Sequence, residues 1–219
     1  MDIESRSIKL VSTGKGVTTC SFFKYPNDNG IIYSSTHMDN PDCPSKPDFS
    51  KGYIWKLYPG FDIYEAGLSG SNPRPLTSSP GYDAEATYSF DGKKIIYTSL
   101  ISGDLDLWYM NPDGSGKQQL TNRLGYDGGA FYSYDAKKIV WRAYYPETKE
   151  EIENYKSLLK ENSIRPMALQ IWTMNANGTN KKQITDNNSA NFGPIYFPKA
   201  DKIIFSSNMH DPKGRDFDL

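Results

Sequence analysis

Apolar residues recur along this chain in short alternating stretches, and runs such as Ile95-Ile96-Tyr97 are among the longest unbroken ones. Alternation on that scale marks strands rather than helices. Ala84 to Ser89, Lys94 to Ser99, Asp106 to Asn111 and Lys117 to Thr121 read as successive strands. Asp91-Gly92 and Asp113-Gly114 stand where the first and last pairs must turn, and Asp-Gly is a strong hairpin signal. Ile95 and Tyr97 fall on one face of the second strand and Ile96 on the other. A strand apolar on both faces needs a sheet packed between two others.

The pattern repeats. Gly81-Tyr82-Asp83 through Ile95-Ile96-Tyr97 returns 44 residues later as Gly125-Tyr126-Asp127 through Ile139-Val140-Trp141. Ile63-Tyr64 through Leu76-Thr77 returns as Leu107-Trp108 through Leu120-Thr121, and again as Ile171-Trp172 through Ile184-Thr185. The second of these spacings is lengthened by an insertion over roughly Tyr145 to Leu169, and a matching one covers roughly His37 to Asp62. Without insertions the unit has the roughly 40–45 residues of a four-stranded propeller blade. The fold class expected is therefore all-β, a β-propeller of four-stranded antiparallel blades. Ser7 to Val11, within residues 6–16, reads as the last strand of a blade. Units follow over 17–81, 82–125 and 126–189, with an incomplete one over 190–219. A closed ring of six or seven blades needs about 260–310 residues. The 219 residues given therefore suggest part of a longer propeller, a last blade completed by the N-terminal strand, or an open arc covered by other subunits. The last option includes a homo-oligomer joined through open blade ends.

One insertion breaks the β pattern. Thr148-Lys149-Glu150-Glu151 reads as a capping box, and Ile152, Tyr155, Leu158 and Leu159 follow at helical spacing. This predicts a helix from about Lys149 to Asn162, lying as a lid on the blade edge. The other insertion, with Pro41, Pro44, Pro47 and Pro59, is expected to be an ordered loop without regular structure.

Composition narrows the function. With 25 Lys and Arg against 26 Asp and Glu, the chain lacks the basic footprint of a nucleic-acid binder. No apolar stretch approaches the roughly 20 residues that span a bilayer. The first residues, Met1 to Arg6, carry no basic and then apolar run, so no export signal is read there. Cys20 and Cys43 have no C-x-x-C spacing. Either both thiols are idle or one bridge clips the Pro-rich loop to the strand holding Cys20, and the bridge is the expectation carried forward.

Tyr88-Ser89-Phe90-Asp91-Gly92-Lys93-Lys94-Ile95-Ile96-Tyr97-Thr98-Ser99, then Leu107-Trp108-Tyr109-Met110-Asn111-Pro112-Asp113-Gly114, then Gln119-Leu120-Thr121, resembles the WD-like propeller repeat of the TolB family. Tyr82-Asp83-Ala84-Glu85 and Gly103-Asp104-Leu105-Asp106-Leu107 look like those of a TolB-like bacterial subgroup. The resemblance implies a periplasmic or extracellular propeller that binds protein partners or envelope components without catalysis. The same repeat is found in enzymes, so an acidic enzyme, carbohydrate or metal site at the channel mouth is the alternative, and a self-assembling structural protein a further one. The separate α/β domain that precedes the TolB propeller has no match here.

In a propeller the first strand of each blade lines the channel. Asp83, Glu85 and Asp127 enter such strands, where carboxylates either bind a divalent cation such as Ca2+, do acid–base work, or hydrogen-bond neighbouring backbone. Arg142 either clamps an anion at the mouth or pairs with Asp83 or Glu85. His37, a further binding candidate at the mouth, and His210 each stand just beyond a Ser-Ser pair, Ser34-Ser35 and Ser206-Ser207, and without a third ligand at metal spacing they read as loop histidines ahead of a zinc pair. Asp104 and Asp106, echoed by Asp216 and Asp218, are candidate Ca2+ ligands or loop caps. No Gly-x-Ser-x-Gly elbow, phosphate loop or dinucleotide fingerprint is present.

Overall fold

A computed structural model describes residues 4–70, 72–166, 168–198 and 202–219. Met1 to Ile3, part of the export-signal reading, lie outside the described residues. In chain order the strands are β1 Thr18–Phe23, β2 Gly30–Ser35, β3 Trp55–Lys56, β4 Asp62–Gly67, β5 Arg74–Pro75, β6 Asp83–Tyr88, β7 Ile95–Ser99, β8 Asp106–Met110 and β9 Gln118–Gln119. There follow β10 Tyr126–Tyr132, β11 Lys138–Tyr144, helix α1 Lys149–Lys160, β12 Ser163–Ile164, β13 Gln170–Asn175, β14 Lys182–Gln183, β15 Asn191–Tyr196 and β16 Ile203–Ser207.

The repeat folds as blades. Blade 1 orders its strands β1-β2-β4-β5, blade 2 β6-β7-β8-β9 and blade 3 β10-β11-β13-β14, while β15 and β16 begin blade 4. All pairings in the ladders are antiparallel. The innermost strands β1, β6, β10 and β15 lie side by side in that order, and among the described residues β1 does not reach β15. The sheets therefore form an arc. Ile95 and Tyr97 pack toward blade 1 with Ile32 and Ile63, and Ile96 toward blade 3 with Trp141 and Ile139. Both faces of β7 are buried for the reason its sequence gave: each sheet is the filling between two others.

Two polar latches repeat with the blades. Ser89 Oγ donates to Asp91 Oδ1 at 2.7 Å and accepts from Lys94 N at 3.0 Å, and Ser133, Asp135 and Lys138 do the same at 2.7 and 2.9 Å. At the outer edge the Leu-Thr or Ile-Thr threonine accepts an N–H from the third strand, as Thr121 does from Leu107 at 2.8 Å, and donates to the residue that opens that strand. That residue is Asp62, Asp106 or Gln170.

Helix α1 begins at the expected Lys149, with Thr148 as N-cap and the full capping box with Glu151. Tyr155 and Leu158 are its buried face. The Pro-rich insertion, expected to lack regular structure, has some. It contains a 3-10 turn at Phe49–Lys51 and strand β3, which pairs with β12 of the helical insertion through Trp55 to Ile164 and Lys56 to Ser163. The two insertions thus join into one cap.

Two expectations fail. Ser7 to Val11 forms no strand, and Ile8 and Leu10 are 84% and 68% exposed. The third strand it would pair with in blade 4 is represented only by the Ser207–Asp218 bridge. Cys20 and Cys43 are free thiols, both exposed. Cys20 Sγ lies 3.2 Å from Thr19 Oγ1, and the loop of Cys43 is held instead by Gly16 N donating to Pro41 O at 2.7 Å and by the β3–β12 pairing. Among the described residues no helix is long and apolar enough to cross a membrane.

Candidate functional site at the channel mouth

Each innermost strand carries a β-bulge at the same place in the repeat. The register shifts between Thr19 and Phe22, Ala84 and Thr87, Gly128 and Phe131, and Phe192 and Ile195. The residue that absorbs each bulge is left-handed: Cys20 at φ 51°, Glu85 at 58°, Gly129 at 58° and Gly193 at 56°. Glycine takes this conformation freely, whereas a side chain there costs about 1–2 kcal/mol. Glu85 offsets that cost by what it binds.

Glu85 Oε2 accepts from Gly129 N at 2.9 Å, Tyr126 Oη at 3.0 Å and Thr98 Oγ1 at 3.1 Å. Its Oε1 pairs with Arg142 Nη2. Arg142 also donates to Tyr126 Oη from Nε at 3.2 Å and from Nη2 at 2.9 Å. Its guanidinium stands 5.4 Å from the Trp55 ring, 5.8 Å from Tyr126 and 5.7 Å from Phe192, a cationic group held among aromatic faces. The ion pair is a clasp joining blades 2, 3 and 4 to the cap. Gly128 and Gly129 make room for it: a Cβ on Gly128 would stand 2.2 Å from Tyr126 Oη, and one on Gly129 2.3 Å from Arg142 Nη1. Burial alone would lower the Arg142 pKa, but the Glu85 carboxylate and the Tyr126 hydroxyl together outweigh it and keep the guanidinium charged. Although Cys20 is accessible to solvent, crowding of the channel wall around its thiol raises its pKa, as does the nearby Glu85 carboxylate, so it stays protonated.

Above the clasp lies a cavity of about 490 Å³ between the innermost strands and the cap. Cys20, Tyr82, Glu85, Tyr126 and Arg142 line one side, and Phe49, Tyr53, Trp55, Tyr58 and Phe61 the other. Of the residues singled out from the sequence, only Glu85, Arg142 and Cys20 reach it. Asp127 is buried behind the strand, where its Oδ1 accepts from Trp141 Nε1 and Tyr145 Oη, both at 2.6 Å. Asp83 is buried in the equivalent place. Desolvation pushes Asp83 up to about 6 and Asp127 to about 7, and one oxygen of each has no partner. These two carboxylates repeat because the blade repeats.

The remaining candidates lie elsewhere. His37 Nδ1 is 3.0 Å from Ser35 Oγ, with its ring centred 4.3 Å from Tyr64. The place of His37 in the turn is taken in other blades by Ile101 and Met209, whose N–H groups bond Ser99 and Ser207 as His37 N bonds Ser35. His210 therefore sits one residue beyond the equivalent position. Asp104 accepts from Gly125 N at 2.9 Å and Tyr155 Oη at 2.6 Å. Asp106 accepts from Ser102 Oγ at 2.7 Å and Gln119 Nε2 at 2.9 Å. Asp218 is drawn into the backbone bridge with Ser207. Among the described residues no three His, Cys, Asp or Glu side chains converge as a metal-ligand set. Sequence reasoning missed Tyr53, Trp55, Tyr82 and Tyr126. Gly129 and Gly193 at one repeat position were the available sign, because glycine inside a strand marks a bulge or close approach.

This arc of four-stranded antiparallel blades around a bulge-lined channel has the β-propeller fold. Among solved structures the chain is similar to TolB from Acinetobacter baumannii, with 20% identity over 92% of this chain and 39% of that one and a TM-score of 0.60. It is also similar to a chain of a nidogen/laminin complex, with 13% identity over 94% and 65% and a TM-score of 0.55. An oligogalacturonate lyase from Vibrio parahaemolyticus matches with 11% identity over 86% and 45% and a TM-score of 0.51. The chain spans about two fifths of that TolB. No protein-family model matches the chain, and no curated protein matches it in sequence.

Proposed function

We propose that this chain is a non-catalytic TolB-like propeller scaffold that works outside the cytoplasm and binds a protein or envelope partner at the capped channel mouth. The observation that carries this reading is the contrast between spent carboxylates and unspent aromatic surface. Every acid placed at the mouth from sequence is either saturated by protein donors, as Glu85 is, or buried away from the cavity, as Asp83 and Asp127 are. General acid–base work needs a carboxyl within reach of a substrate proton, and none stands free there. Phe49 and Tyr53, by contrast, are 54% and 66% exposed on the cap, and exposed aromatics are the side chains that anchor interfaces. The likeness to a propeller in a nidogen/laminin complex supports the reading.

A photocrosslinking residue placed at position 53, with one at the outer Tyr134 as control, tests it against an envelope extract of the source cell. The reading expects a discrete adduct from position 53 that is absent from position 134. Turnover of an oligogalacturonate or peptide substrate that is abolished by Glu85→Gln would overturn it.

A further inference from the structure

We propose that the joints between consecutive blades are neutral hydrogen-bonding sites, and that Asp83 and Asp127 fill two of them as un-ionised acids whose carboxyl protons are given to the carbonyls of Phe61 and Leu105. The blade 1–2 and blade 2–3 joints then depend on a proton, and the blade 3–4 joint does not. At each joint a residue at the start of the innermost strand gives its N–H to the carbonyl just ahead of the third strand of the preceding blade. Asp83 donates to Phe61 O and Asp127 to Leu105 O, both at 2.9 Å, and Asn191 to Leu169 O at 3.2 Å. The same joint is thus built twice with an acid and once with an amide. Asn191 Nδ2 donates to that Leu169 O as well, at 2.7 Å, while its Oδ1 accepts from Asn187 Nδ2 at 3.2 Å. An un-ionised carboxyl offers this pair, one donor and one acceptor, whereas a carboxylate only accepts.

The surroundings of the two acids favour the proton. Oδ2 of each is buried with no hydrogen-bond partner among the described residues, and it is the atom that protonation turns into a donor. Each acid also faces a second one at the start of the third strand, Asp62 or Asp106. The blade 3–4 joint has Gln170 in that place, where it accepts from Thr185 as Asp106 does from Thr121, so both acids of the pair are exchanged for amides together. Two neighbouring carboxylates resist both being charged. The outer acid is the one supplied with donors: Ser102, Gln119 and Thr121 for Asp106, and Thr77 for Asp62. The titratable and charged groups acting on Asp127 are Asp106, Tyr145 and Tyr155, and those acting on Asp83 are Asp62, Tyr97 and the exposed Lys117, whose charge burial outweighs. Asp83 and Asp127 stand two residues ahead of Glu85 and Gly129, whose hydrogen bond closes the clasp. A proton at the joints therefore also steadies the mouth.

Giving the third joint an acid tests the proposal on the whole chain. An acid that holds its proton more tightly in the folded chain contributes stability at low pH and loses it as pH rises. Asn191→Asp should therefore fold as the parent does near about pH 5, and its thermal midpoint should fall about 2–4 °C further than the parent's by about pH 8. Infrared spectroscopy reads the protons directly and does not depend on that variant folding. At about pH 5.5, above the ordinary carboxyl range, the parent should show a protonated-carboxyl band that the Asp83→Asn/Asp127→Asn double variant loses. A midpoint of Asn191→Asp that tracks the parent's across this range would overturn the proposal. So would a parent spectrum without the band, or a band that the double variant leaves unchanged.

Discussion

Blades 2 and 3 enter their innermost strands with the same pair of residues, Tyr82-Asp83 and Tyr126-Asp127, and then part: Ala84-Glu85 in one, Gly128-Gly129 in the other. The shared aspartates are buried in both blades and serve the blade. The divergent pair meets across the channel. Glu85 of blade 2 accepts the Gly129 N–H of blade 3, and the missing side chains of Gly128 and Gly129 leave the room that Tyr126 and Arg142 fill. In a repeat protein, what recurs in every unit supports the architecture, and what differs at one repeat position shapes the individual mouth.

The largest effect should come from cutting the clasp on the blade 3 side. Arg142→Ala leaves Glu85 as an unpaired buried carboxylate, and breaking such a pair costs about 3–5 kcal/mol. Denaturant unfolding of the variant measures it, and a loss below about 1 kcal/mol, the scale of an exposed pair, would mean that the clasp is not buried in solution. Next, Gly128→Ala tests whether the two blades can be made alike. The Cβ placed 2.2 Å from Tyr126 Oη should cost about 1–3 kcal/mol as overpacking, whereas Ala84 shows that blade 2 accepts that methyl.

The shared aspartates give a pH signature. Desolvation raises Asp83 to about 6 and Asp127 to about 7, so the folded chain holds their protons more tightly than the unfolded chain does. Their contribution to stability is then full below about pH 4, the ordinary carboxyl range, and is lost as pH rises toward 7. Thermal midpoints of Asp127→Asn and the parent chain should differ in slope across that window, with the variant the flatter. Parallel slopes would show that Asp127 is ionised throughout. The smallest effect lies in the outer hairpin. Ala136 at φ 56° stands where blade 2 has Gly92 at 69°, so Ala136→Gly should stabilise by about 0.5–1 kcal/mol through relief of left-handed strain.

The blades, their hairpins and the capping box of α1 were legible because they are local patterns, alternation and turn dipeptides within a few residues. The clasp was half legible. Glu85 and Arg142 stood among the candidates and their pairing among the alternatives, but nothing in a strand pattern says that Glu85 is left-handed, since glutamate rarely takes that conformation. The cap was not legible, because β3 and β12 are two residues each and pair across two insertions far apart in the chain. The Cys20–Cys43 bridge failed for the same reason: the direction a bulge gives a side chain is set by three-dimensional context. The aspartates were placed correctly in the repeat and assigned too readily to the channel, because a residue entering an innermost strand can face the axis or the space between blades.

The central claim is that the mouth binds through its aromatic wall, with the charges beneath serving structure. The chain has four tryptophans, Trp55, Trp108, Trp141 and Trp172, and only Trp55 lines the cavity. Fluorine NMR of fluorotryptophan-labelled protein titrated with the partner captured by the crosslink at position 53 tests the claim most directly. The account predicts a saturable shift of the Trp55 resonance with the other three unmoved; a Trp55 resonance that stays fixed, or one that moves no more than that of Trp172, would contradict it.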